Sequence, residues 1–118
     1  SPFDLSRHQC PALVHNQGAG GKTVINLPTD AMGGEEVEGV VLAAQDLAFD
    51  PGSGNRIIGS DGGSFSFLAA GAQVIGDAAG ETIKLVCLGP DSNGNVEWLA
   101  TRQHDNAPGT AGNFNEEN

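Results

Sequence analysis

Tyrosine is absent from this chain, tryptophan occurs once, and only five residues carry a positive charge. Each scarcity excludes something. The cations, Arg7, Lys22, Arg56, Lys84 and Arg102, are scattered, whereas nucleic-acid binding needs clustered cations to displace counterions from phosphate. Attraction to an anionic membrane surface fails for the same reason. No apolar run approaches the roughly 20 residues that a bilayer-crossing helix needs. The opening SPFDLSRHQC lacks the cationic region and apolar core of a secretory leader, although a leader removed upstream stays open. Cysteine is scarce too. Cys10 and Cys87 lie far apart and make no disulfide framework, so they read as reduced thiols of a protein made in a cytoplasm, with one disulfide as the alternative.

What is present is glycine and acid. The 118 residues include 18 glycines, and 15 Asp and Glu against five Lys and Arg give a formal net charge of −10. This length fits one domain with a modest core. The glycine content and the 38% of hydrophobic residues point to a β-rich chain with much of its length in turns. The acidic surface favours solubility and complements a basic partner.

Three zones follow. Residues 1–22 read as an extended N-terminal arm ending in QGAGGK, residues 23–102 carry nearly all the periodic apolar signal, and residues 103–118 form a polar tail with almost no aliphatic side chains. Such a tail buries too little to offset its ordering entropy and is expected to be flexible. In the middle zone, TVINLP places Ile25 and Leu27 on one face before Pro28 ends the strand. VEGVVLAAQDLAF reads as a strand buried on both faces, which Gly39 and the β-branched valines favour over a short helix through VVLAAQDL. DPGSGN is a dense turn signal, and SFSFLAA alternates Phe65, Phe67 and Ala69 with serines. The clearest feature is a hairpin. Ile83, Leu85 and Cys87 share one face of ETIKLVCL, GPDSNGN turns, and Val96, Trp98 and Ala100 share one face of NVEWLAT. Six or seven short strands at such spacings predict an all-β fold, a compact antiparallel sandwich or small barrel.

None of the chemistry-bearing patterns completes a site. His8, Cys10 and His15, with His104 or Cys87, are zinc-type side chains, but H-x-C-x4-H lacks the tight pairs of zinc sites. DSNGNVE resembles the start of a calcium loop, yet position six is Val96 and position twelve is Arg102. Asn and Gly there fit a hairpin turn instead. GAGGKT ends like a phosphate loop, but its first glycine would fall at Asn16 and a strand follows Lys22 where a helix N-terminus is needed. There is no G-x-S-x-G elbow, and Glu35, Glu36 and Glu38 read as a solvated acidic rim. No enzyme, cofactor or metal is expected.

The succession TVINLP, VEGVVLAAQ, NRIIG, SFSFLAAGAQVIGDAAGETIKLVCLG and NVEWLAT, over residues 23–102, resembles small β-rich structural proteins of tailed-phage virions. Within that group the size and acidity look most like capsid decoration proteins, also called cement or head-stabilising proteins. The resemblance implies a non-enzymatic homotrimer, made in the host cytoplasm, that binds the major capsid protein on the outer capsid surface and stabilises the shell. It also implies a terminal arm as the contact. Here the apolar arm residues can dock in a groove or add a strand to an edge, so the candidate contacts are Phe3, Leu5, Arg7, Leu13 and Val14. The alternative is a receptor- or carbohydrate-binding β-module of a phage tail fibre or spike, which needs exposed aromatics on loops.

Overall fold

The computed structural model describes residues 2–61, 64–104 and 115–117. Apart from one 3-10 turn at Arg7–Gln9, every regular element among them is a strand. In chain order these are β1 (Phe3–Asp4), β2 (Ala12–His15), β3 (Thr23–Asn26), β4 (Glu36–Val40), β5 (Leu47–Asp50), β6 (Arg56–Asp61), β7 (Ser64–Phe67), β8 (Gln73–Gly76), β9 (Thr82–Pro90), β10 (Val96–His104) and β11 (Asn115–Glu117). They form two sheets, ordered β1-β3-β5-β8-β11 and β2-β4-β9-β10-β6-β7.

The all-β expectation holds, but three of its details are corrected. First, the sheets are mixed. β1, β3 and β5 run parallel to one another, β2 runs parallel to β4, and β6 runs parallel to β10. Second, both sheets keep open edges, so neither closes into a barrel. Third, 11 strands are described where six or seven were expected. Three of the extra ones, β1, β2 and β11, are short edge pieces whose pairing is made by backbone hydrogen bonds, which leave little apolar period in the sequence, and the fourth arises because VEGVVLAAQDLAF divides into β4 and β5.

The N-terminal segment is likewise no free arm. It places β1 on the edge of one sheet and β2 on the edge of the other. A capped turn makes the switch between them: the Ser6 hydroxyl accepts from His8 N–H at 3.2 Å, and Gln9 Oε1 accepts from Ser6 N–H at 2.8 Å. Of the expected polar tail, 103–104 end β10, Asn115–Glu117 pair antiparallel with β8, and the remainder lies outside the described residues.

The hairpin stands as read, and it occupies the centre of the six-stranded sheet. β9 and β10 pair antiparallel, with Ile83, Leu85, Cys87, Val96, Trp98 and Ala100 all buried. At the turn, Asp91 Oδ1 accepts from Asn93 N–H at 2.8 Å and from Asn95 N–H at 3.0 Å. That is the local bonding by which Asp stabilises a turn. VEGVVLAAQDLAF, by contrast, is two strands in different sheets. The chain bends after Val41 around Asn16, a buried side chain that bonds four backbone groups: Oδ1 accepts from Leu42 N–H (2.7 Å) and Ala43 N–H (2.9 Å), and Nδ2 donates to Ala43 O (3.3 Å) and Gln45 O (3.0 Å).

The bend lets β4 and β5 face each other across the core. Gly39 on β4 meets the fully buried Phe49 of β5 so closely that a Cβ there would sit 2.8 Å from Phe49 Cε2 and 3.3 Å from Leu47 Cδ2. A side chain at 39 would leave no room for the ring. Leu5, Ile25, Leu27, Ile57, Val74 and Trp98 belong to the same buried cluster.

Candidate functional site

Where β1 and β2 lie on the open edges of their sheets, an apolar groove forms between them. It is lined by Phe3, Leu13, Val14, His15, Thr23 and Ile25 and encloses about 310 Å³. Ile25 is a core residue, whereas Phe3 is 48% exposed and Leu13 67% exposed. Large apolar side chains left in water beside a concavity mark a contact surface more often than single scattered ones do.

A second hollow adjoins it around the end of β1, about 470 Å³ in volume, with Asp4, Asn26, Asp30, Asp50 and Ser53 on its wall. The parallel register explains this grouping. Asp4 pairs with Asn26 and Asn26 with Asp50, so three polar side chains fall in one row across adjacent strands. Asn26 Nδ2 donates to Asp4 Oδ1 at 2.7 Å. Asp50 accepts from Gly52 N–H at 2.9 Å and from Gln73 Nε2 at 3.2 Å. Among the described residues no Lys or Arg pairs with Asp4, Asp30 or Asp50.

Three cations are held elsewhere. Arg7 Nε lies 3.3 Å from Glu35 Oε2, Arg56 Nη2 lies 2.6 Å from Glu97 Oε2, and Lys84 Nζ lies 3.1 Å from Glu36 Oε1. Glu35 also accepts from Met32 N–H at 2.7 Å. That backbone bond, with the Arg7 guanidinium alongside, holds the Glu35 carboxyl below the usual glutamate range.

The expected contact residues therefore divide. Phe3, Leu13 and Val14 come together in the groove. Leu5 does not: it is part of the core at 6% exposure, because it turns inward opposite Leu27 at the end of β1. Arg7 does not either, since its guanidinium fastens the β1–β2 turn to Glu35. Asp4, Asp30 and Asp50 are additions to the reading from sequence. They lie 20 or more residues apart; the parallel pairing of β1, β3 and β5 aligns Asp4 with Asp50, and the loop after β3 brings Asp30 to the same hollow.

Cys10 and Cys87 are free thiols, both pushed up in pKa chiefly by burial, with Glu35 adding to the shift. Among the described residues no three His, Cys, Asp or Glu side chains gather as a metal site would require. Of the aromatic side chains, Phe49 and Trp98 are fully buried and Phe3 is exposed. The buried polar side chains Asn16, Asn55 and Glu81 serve turns. Asn55 accepts from Val96 N–H at 2.8 Å and donates to Pro51 O at 3.0 Å, while Glu81 Oε1 accepts from Asp77 N–H at 2.9 Å and Ala78 N–H at 3.1 Å.

No family model, curated protein or solved structure matches this chain.

Proposed function

We propose that this chain is a non-enzymatic structural protein of a tailed-phage virion, which binds the major capsid protein on the outer capsid surface and stabilises the shell as a homotrimer. In that reading the two sheets form a sandwich left open along β1 and β2, and the opening is the contact face. One observation carries it: the free edges of both sheets meet in an apolar groove that exposes Phe3 and Leu13. Two others support it. The buried polar side chains bond backbone groups of turns, which is scaffold work. At least three of the five cations are tied to carboxylates, which weakens any attraction to phosphate.

The mechanism is additive. Each copy contributes a modest contact, and symmetric repetition over a shell makes the sum large. Binding only the assembled form stabilises it by mass action. The test is native mass by light scattering over a range of concentrations, followed by co-sedimentation with expanded shells of the virus of origin. Saturable binding that Leu13→Ser and Phe3→Ser both weaken is the expected result. A chain that stays in the supernatant at every shell concentration ends the proposal.

A further inference from the structure

The N-terminal residues are ordered as an acceptor edge, which reverses the usual sense of an arm that reaches out. Leu5 N–H donates to Asn26 O at 2.9 Å. Backbone groups of successive strand residues alternate in direction, so Asp4 turns its own N–H and C=O away from β3 and outward from the sheet edge. Among the described residues β1 has no strand on that side. Phe3 faces the apolar groove, and Asp4, one residue on, faces the acidic hollow.

A strand laid beside β1 would meet both. Residues directly opposite in paired strands share a face. The one opposite Phe3 thus enters the groove, and its neighbour stands beside Asp4 within reach of Asp30 and Asp50. The groove selects an apolar side chain. The hollow selects a Lys or Arg, because its three carboxylates have no cation among the described residues. A second copy fits poorly here. It carries the same net charge of −10, and at least three of its five cations are already paired.

We propose that β1 accepts an extended segment of the partner protein by strand addition, and that this segment alternates apolar with Lys or Arg residues. This rests on the reading of the groove as the partner-binding face. The chain supplies the groove, and the partner supplies the strand.

The probe is a blocked seven-residue peptide alternating valine and lysine, added to the full ¹⁵N-labelled chain. Two controls accompany it: the same composition with valines and lysines in separate blocks, and a version with glutamate for lysine. The alternating peptide is expected to slow exchange of the Asp4 amide and shift the amides of Phe3, Leu13 and Ile25, while both controls leave them unchanged. Asp4→Lys should weaken binding about fivefold or more, and added salt should weaken it in the wild type. Asp4 is exposed, so an unchanged thermal melt will confirm that the variant folds. Equal binding of the glutamate peptide, or protection confined to Ala12–His15, overturns the inference. Shell co-sedimentation separates the two readings. If shells bind while no peptide protects Asp4, the acceptor edge is wrong and the virion proposal stands. If Asp4 is protected while shells do not bind, the reverse holds.

Discussion

Gly39→Ala places a methyl group where β4 and β5 approach closely. Its Cβ would lie 2.8 Å from Phe49 Cε2 and 3.3 Å from Leu47 Cδ2, both closer than ordinary contact and the first too close to stand. Phe49 is fully buried and has no solvent into which to retreat. Overpacking of this kind costs about 1–3 kcal/mol, against a gain of about 0.5–1 kcal/mol from removing a glycine from a strand interior. The net loss is about 1–2 kcal/mol, or a fall in Tm of roughly 4–8 °C for a domain of this size. Phe49→Leu alone empties part of the same space and should cost about 2 kcal/mol. Combined, the two should be less destabilising than their sum by about 1 kcal/mol, since the smaller side chain makes room for the methyl. Urea unfolding of the four proteins, followed by Trp98 fluorescence, measures the cycle. Strict additivity, or a Gly39→Ala variant as stable as the wild type, would refute the facing of β4 and β5 at this point.

Other outcomes follow from the same geometry. Asn16→Ala should destabilise by about 3 kcal/mol in denaturant unfolding, because it strips partners from four backbone groups at the β4–β5 bend. Glu35 titrates below its usual range in the fold, so the unfolded chain binds its proton first as the pH falls. The stability it contributes is present above the ordinary glutamate range and is lost on acidification through it. The stability difference between wild type and Glu35→Gln should therefore shrink between about pH 5 and pH 3 in thermal melts. Both thiols have raised pKa values, which lowers their thiolate fraction. A thiol reagent at pH 8 should label Cys10 slowly and Cys87 only after denaturant is added, as followed by mass spectrometry.

Much of this fold could be read from alternation alone. Ile25 and Leu27, the hairpin faces at Ile83 to Cys87 and Val96 to Ala100, and the turn at Asp91 all follow from neighbours one to four residues away. What alternation does not carry is partner choice. The bend after Val41 contains no glycine or proline, and four of its hydrogen bonds come from Asn16, more than 20 residues earlier. No local signal separates β4 from β5. Parallel pairing is hidden for the same reason, and with it the alignment of Asp4, Asn26 and Asp50. The groove was half legible, since Phe3, Leu13 and Val14 stand out as apolar in a polar segment. Leu5 looks the same in sequence, and only its position at the inward end of β1 sends it to the core.

The central place of the hairpin also has a consequence in time. β4 pairs with β9, and β6 pairs with β10, so both of these strands of the six-stranded sheet need a neighbour made more than 30 residues later. A ribosome that has delivered β1 to β8 has delivered two separated pieces of that sheet with nothing to join them. Ordering must wait for the last third of the chain, and contacts so distant in sequence form slowly. Until then the apolar faces of β4 and β6 stand uncovered, and a chaperone that shields them during synthesis would act before the hairpin emerges.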